Sequence, residues 1–256
     1  MQKAIFITGA AKGIGRATAI QFAKNGWFVG AYDVDEDGVK DLAKTIGNGH
    51  THTGKLDVTD YDAFQKMVAA FEKASGGRMD ALFNNAGILK MGFFEEIPIK
   101  ETKRQVDINI MGVVNGIYAS LPLLEKTPGA TIVSMSSASA IYGTPELAVY
   151  SATKFAVRAI TEALDIEFRR KKIRVVDIMP SYVATDMVAE QKHRAKTLST
   201  MGVKLTAEDI ADLVWKAVND TKKKLHFTAK RDLDLFIRLA GFQGISRPLM
   251  RRFSKM

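Results

Sequence analysis

"FITGAAKGIGRATA", Phe6 to Ala19, joins a short apolar run to a segment of helical spacing and carries Gly9, Gly13 and Gly15 at the join. Without side chains, a strand-to-helix turn lets backbone N–H groups come close to a phosphate. The N-terminus of the following helix adds partial positive charge at the same place. The spacing here is GxxxGxG, which differs from the GxGxxG of the general dinucleotide fingerprint. A tight turn with no ligand also uses glycine, so the turn needs support from elsewhere in the chain.

Asp33 supplies some of that support. It ends the next β-rich run, "WFVGAYD", 18 residues beyond Gly15. A carboxylate there accepts hydrogen bonds from both adenosine ribose hydroxyls and repels a 2′-phosphate, which favours NAD over NADP. Lys12 and Arg16 pull the other way, because a cation near the turn attracts that phosphate, so NADP stands as the alternative.

Working outward, β-rich runs recur as "KAIFIT", "DALFNNAG", "ATIVSMSS", "IRVVDIMP" and "KLHFTA", separated by segments with helical apolar spacing. "RATAIQFAKNG" ends on Gly26 as a helix C-terminus does, and "TAEDIADLVWKAV" opens with Thr206 and Asp209, a loose capping box. "NGHTHTG", around His50 and His52, reads as a loop entering a strand. Strands alternating with helices predict one doubly wound α/β domain over residues 1–228, with a parallel sheet of about seven strands. A basic amphipathic C-terminal extension follows over residues 229–256.

Composition narrows the class. A chain of 256 residues, 46% hydrophobic and 25% charged, is that of a globular domain with a sizeable core. The absence of cysteine excludes disulfides and thiolate metal sites and suits a reducing compartment. "AIFITGA" is too short for a secretory signal and no run of 18 apolar residues appears, so a cytoplasmic protein is expected. His50, His52, His193 and His226 share no ligand spacing with carboxylates, so no metal is expected.

The net charge of +9 sits mostly at one end: Thr221 to Met256 hold ten Lys and Arg against two Asp. In "DLDLFIRLAGFQGISRPLMRRFSKM" the arginines lie beside Leu233, Leu235, Phe236, Ile237 and Leu239. That mixture suits peripheral contact with an anionic membrane, or an extension packed over a substrate cleft or a neighbouring subunit. Phe236, Phe242 and Phe253 are too few to make a base-stacking surface, and no nucleic-acid partner is expected.

A second stretch bears on chemistry. "VYSATKFAV", Val149 to Val157, sets Tyr150 and Lys154 four residues apart, on one face of a helix. Bringing a phenol from its ordinary pKa of about 10 to near 7 needs roughly 4 kcal/mol. A unit charge about 4 Å away, at an effective dielectric of about 20, supplies that much. Ser151, Ala152 and Thr153 leave room for a ligand, which makes Tyr150 a candidate general acid/base. An incidental pair on a helix would have the same spacing.

Taken together, "TGAAKGIG", "LDVTD", "NNAG", "DINIMG", "SMSSAS", "YSATK" and "PSYVATDM" resemble, in order and spacing, the motifs of the short-chain dehydrogenase/reductase family. The resemblance runs from Lys3 to about Thr228 and implies a Rossmann-type catalytic domain. It implies a catalytic set of Asn109, Ser137, Tyr150 and Lys154. In that set Tyr150 exchanges the proton, and Ser137 steadies the substrate oxygen. Lys154 lowers the phenol pKa and holds the nicotinamide ribose, while Asn109 anchors a relay water. Strand alternation points the neighbouring Ser136 to the opposite face.

The same resemblance implies cofactor contacts from Gly9, Lys12, Gly13, Ile14 and Gly15 in the turn, and from Asp33, Asp57 and Val58 at the adenosine end. Asn85, Ala86 and Gly87 follow the fourth strand; Pro180, Val183 and Thr185 join Tyr150 and Lys154 around the nicotinamide. Ser181 departs from the pattern, standing where the family usually has glycine. Ala184 to Thr206 corresponds to the mobile lid over the substrate, with Met187, Val188, Leu198 and Met201 as apolar walls. The two long helical segments resemble the family's dimer interface, so a homodimer or homotetramer is expected, with Ala156, Ile160, Ala163, Leu164 and Ile166 on that surface.

The implied activity is reversible hydride transfer between NAD(H) and a secondary alcohol or ketone of a lipophilic substrate. An NADPH-dependent carbonyl or 3-oxoacyl reductase is one alternative, and a non-catalytic dinucleotide-binding sensor or scaffold is another.

Overall fold

The computed structural model describes residues 2–47, 49–221, 224–229 and 251–253. Seven parallel strands form one sheet in the order β3-β2-β1-β4-β5-β6-β7. They are β1 Ala4–Thr8, β2 Phe28–Asp33, β3 Thr51–Lys55, β4 Ala81–Asn84, β5 Thr131–Met135, β6 Arg174–Ile178 and β7 His226–Phe227. The chain winds outward from β1 to β3, then returns to place β4 on the other side of β1. In such sheets, ligands bind beyond the carboxyl ends of the strands where the order reverses.

Alternation along β1 explains both layers. Ile5 and Ile7 face one side, with Phe22 of helix α1 (Gly13–Lys24), Leu42 of α2 (Glu36–Ile46) and, further along, Val214 of a later helix. Ala4 and Phe6 face the other side, with Phe64 and Phe71 of α3 (Tyr61–Ala74). Phe6 stacks on Tyr32 with centroids 4.2 Å apart and meets Phe71 edge-on at 5.4 Å. Each fully buried aromatic contributes about 2–3 kcal/mol through lost apolar exposure. Gly30 of β2 is small for this packing, since a Cβ there would lie 2.5 Å from the Phe71 ring.

One expectation needs adjustment. The "THTGK" segment is a full strand, β3, paired along its length with β2. Its polar character reflects its place at the sheet edge, where it is only half-buried. The helical run Ile99–Glu125 is, among the described residues, long and apolar enough to cross a membrane. It comprises α4 (Ile99–Val106), a π-helical turn over Asp107–Met111 and α5 (Gly112–Glu125). Its apolar residues Val113, Ile117 and Leu124 are instead buried against the sheet and α3.

The remaining helices are α6 (Ala148–Glu167), α7 (Asp186–Ala189), α8 (Lys196–Met201) and α9 (Ala207–Asn219). At α9 the capping box is complete: Thr206 Oγ1 accepts from the Asp209 N–H, and Asp209 Oδ2 accepts from the Thr206 N–H. Most of the C-terminal extension, residues 230–250 and 254–256, lies outside the described residues.

Candidate active site

The glycine turn is built by close approach. Gly9 and Gly13 adopt φ of +66° and +55°, a region that favours glycine. A Cβ on Gly15 would sit 2.1 Å from the Gly9 carbonyl oxygen, and one on Gly9 would sit 2.8 Å from Ala86 Cα. Asn85 ties the turn to β4 by donating its side-chain N–H groups to Thr8 O and Gly9 O, both at 3.0 Å. Thr8 Oγ1 accepts from the Asn85 and Ala86 backbones. β1, the turn and the end of β4 therefore form one rigid floor.

Asp33 lies at this floor's edge, its Oδ2 accepting from the Ala11 N–H at 3.0 Å. The two neighbouring cations differ. Arg16 is engaged on α2, donating to Asp41 at 2.9 Å and Thr45 at 3.2 Å. Lys12 remains exposed and reaches across the cleft to Asp186 at 3.8 Å. Asp57 folds onto Thr59, and Asn115 of α5 donates to the Val58 carbonyl at 2.9 Å.

Tyr150 and Lys154 lie on one face of α6, with Lys154 Nζ 5.5 Å from the tyrosine ring centroid. Lys154 is buried and donates to the Met135 carbonyl at 2.8 Å. Ser136 turns away to donate to the Lys154 carbonyl, whereas Ser137 lines the cleft beside Tyr150. Burial pushes the phenol up to about 12, with the Ser137 hydroxyl pulling the other way, and pushes Lys154 down to about 8. Among the protein's own groups, then, desolvation outweighs the lowering of the phenol expected from Lys154.

Asn109 sits on the π-helical turn, a form frequent at functional sites. It donates to Ile88 O and Thr153 Oγ1 and accepts from the Ile88 N–H. A Cβ on Gly87 would lie 3.2 Å from Asn109 Oδ1 and 3.6 Å from Lys154 Nζ. The backbone at Gly87 thus passes directly over this pair.

One cleft of about 1390 Å³ runs over all of this. It is lined by Gly9, Lys12, Gly13, Ile14, Asp33, Asp57 and Val58 at one end. Asn85, Ala86, Gly87, Ser137, Tyr150, Lys154, Pro180, Val183 and Thr185 line the rest. Gly15 and Asn109 are not on its surface: they lie beneath it, supporting the turn and α6. Ser181 lines the cleft without a positive φ, so serine fits where glycine was expected.

The lid residues Met187, Val188 and Met201 line the cleft, but Leu198 does not. It is buried in a small cluster with Leu89, Met91, Leu147 and Ala195, because α8 turns that face toward the body of the domain. Sequence reasoning also missed Tyr61, Asn115, Tyr182 and Thr197, all of which line the cleft, as does Phe253 of the C-terminal extension. Asn115 carried a signal, as a lone amide in the apolar run "GVVNGIY".

The histidines are engaged locally. His52 pairs with Tyr32 at 2.8 Å, His193 with Glu146 at 2.7 Å, and His226 lies between Asp177 at 2.9 Å and Glu162 at 3.2 Å.

This fold, with a glycine turn, an acidic strand end and a Ser–Tyr–Lys group around one cleft, is that of a nicotinamide-dinucleotide oxidoreductase. Residues 3–196 match the model of the short chain dehydrogenase family, and the chain belongs to that family, whose members act on CH–OH groups. It is 37% identical over 188 residues to oxidoreductase UcpA of Salmonella typhimurium, covering 72% of this chain and 71% of that one. It is 35% identical over 189 residues to 2,5-dichloro-2,5-cyclohexadiene-1,4-diol dehydrogenase LinX of Sphingobium indicum, covering 73% and 75%. A crystal structure of the 3-ketoacyl-(acyl-carrier-protein) reductase from Brucella melitensis complexed with NADH superposes with a TM-score of 0.80 at 29% identity, covering 90% of this chain and 98% of that one.

Proposed function

We propose that the protein catalyses reversible hydride transfer between NAD(H) and a secondary alcohol or ketone, with Tyr150 as the group that exchanges the proton. The observation that carries this is the convergence of Tyr150, Ser137 and Lys154 at the cleft, with Asn109 packed beneath. Bound there, a nicotinamide dinucleotide supplies the hydride acceptor or donor. The turn fits its diphosphate, because Gly9, Lys12 and Gly13 line the cleft at the N-terminus of α1, where backbone N–H groups and the helix dipole favour an anion.

In oxidation, Tyr150 takes the hydroxyl proton and Ser137 hydrogen-bonds the reacting oxygen. Lys154 provides the positive charge near the phenol and exchanges protons with solvent by way of a water that Asn109 would anchor. The NAD preference rests on Asp33, whose carboxylate faces the cleft, and on Arg16, which is held by Asp41 and Thr45. The lipophilic substrate rests on Met187, Val188 and Met201 lining the lid side.

The 3-oxoacyl reductase reading is supported by the likeness to the Brucella reductase and by the exposed Lys12. A panel of secondary alcohols and ketones, including a 3-oxoacyl thioester, assayed with both cofactors by nicotinamide absorbance, separates the two. Turnover of none of them alongside tight NADH binding would favour a non-catalytic binder.

A homodimer is the proposed assembly. Ala152, Phe155, Ala159, Ala163 and Ile166 form an exposed apolar row along α6, and Tyr118 of α5 is 67% exposed. Of the expected interface residues, Ile160 and Leu164 instead lean on the domain core.

A further inference from the structure

The lid is fastened to the domain body by side chains that the hydride-transfer chemistry does not use. The segment Ile88–Met91 leaves β4 with its backbone groups served alternately from two sides. Asn109 and Gln105 accept from the Ile88 and Lys90 N–H groups. From the lid, Gln191 accepts from the Met91 N–H and donates to Leu89 O, both at 3.1 Å.

The second fastening is at Glu146, just before α6. Its carboxylate is buried, only 2% exposed, yet it faces two lid groups. Oε1 pairs with His193 Nε2 at 2.7 Å, and Oε2 accepts from the Lys196 N–H at 2.7 Å. Its backbone carbonyl accepts from the Gly92 N–H at 3.0 Å, and the Phe93 ring meets the His193 ring edge-on. Glu146 also holds φ at +65°, in the left-handed region where glycine would sit without strain. A buried carboxylate kept in that backbone conformation persists only where its surroundings hold it.

We infer that Glu146 is a positioning residue that latches the lid to the start of α6, tying lid closure to the helix that presents Tyr150. This rests on the reading of Tyr150 as the proton-exchanging group, four residues along the chain from Glu146. With the latch made, Met187, Val188 and Met201 are held over the cleft. With it broken, the lid opens while the catalytic group and the cofactor floor keep their places.

The lid carries its own reporter, since Lys192, Arg194 and Lys196 are exposed trypsin sites. The full chain is digested under native conditions as wild type, Glu146→Gly, Glu146→Gln and Glu146→Gly/His193→Ala. Glu146→Gly removes the carboxylate and relieves the backbone, so the variant folds with an unchanged or higher melting temperature. Cleavage at the lid sites is expected to rise about tenfold, the loss of a charge-assisted hydrogen-bonded anchor. Glu146→Gln, which keeps an acceptor for the Lys196 N–H, recovers most of the protection. Adding His193→Ala to Glu146→Gly brings no further rise, because the partner is already lost.

Wild-type cleavage in Glu146→Gly overturns the latch, as does a rise spread evenly over the chain or an independent further rise in the double variant. For an alcohol that turns over, the latch predicts a raised KM with kcat less affected. Full turnover in Tyr150→Phe would remove the catalytic reading alone and leave the digestion result standing.

Discussion

The Lys154 ammonium stands 5.5 Å from the centre of the Tyr150 ring while donating to the Met135 carbonyl at 2.8 Å. Lys154 is thus fixed at the end of β5 and holds its charge beside the phenol. Removing the phenolic oxygen should abolish proton exchange without disturbing the cofactor floor. Tyr150→Phe is expected to lower kcat by about 10²–10⁴-fold, the usual worth of a general acid/base, with NADH titration unchanged. Oxidation, which needs the phenolate, should speed up as pH rises, because the phenol sits above its ordinary value. A flat pH profile or full activity in Tyr150→Phe would remove Tyr150 from the chemistry.

Lys154 also makes a prediction for stability. Burial lowers its pKa to about 8 from 10.5, so the folded chain binds fewer protons than the unfolded chain between those values. Stability should therefore rise with pH from about 8 to 10.5 on account of this group. The whole effect is about 3 kcal/mol at most. It should vanish in Lys154→Met, so the difference between the two proteins' urea midpoints narrows or widens only across that window. A constant difference from pH 7 to 10.5 would show that Lys154 is not desolvated.

If the proposed NAD preference holds, cofactor choice should turn on Asp33 and not on Arg16. Asp33→Asn keeps an acceptor for the Ala11 N–H but removes the charge that repels a 2′-phosphate. The ratio of kcat/KM for NADP over NAD is expected to rise by about tenfold or more. Arg16→Ala should leave the ratio unchanged, since Asp41 and Thr45 already hold the guanidinium. An NADP preference lost in Arg16→Ala would reverse the assignment.

Gly15 is tested by size alone. Its Cβ position lies 2.1 Å from a backbone oxygen that cannot move away without shifting the turn. Gly15→Ala is expected to cost about 1–3 kcal/mol in chemical denaturation and to weaken NADH binding with it. Stability and NADH affinity equal to wild type would show that the turn is not close-packed.

Much of this was legible in the chain because the motifs obey local rules. The glycine turn, the Asp33 strand end, the α9 cap and the Tyr150–Lys154 spacing are each written within a few residues. β3 was only half visible because an edge strand buries little and so shows no apolar alternation. The lid fastening was invisible because Glu146 meets His193 and Lys196 only after α6, β6 and α7 have folded back. The same applies to Leu198, whose face on α8 is chosen by the cluster around Leu89 and Leu147. The spacing of Tyr150 and Lys154 reports the nearby charge and says nothing of the desolvation that pushes the phenol up.

The exposed row on α6 gives the last prediction. Ala152, Phe155, Ala159, Ala163 and Ile166 recur at helical spacing on the side of α6 away from the sheet, with small residues that allow a second helix close approach. A second copy of α6 packed there would bury Phe155 and Ile166, which are 39% and 69% exposed in the single chain. Ala163→Arg places a long charged side chain in the middle of that row while altering nothing in the core, so the monomer should fold with an unchanged circular dichroism spectrum. Light scattering after gel filtration is expected to report a mass near twice the 28.1 kDa chain, or a higher multiple, for wild type and a reduced mass for the variant. An identical mass for both would place any self-association elsewhere on the surface.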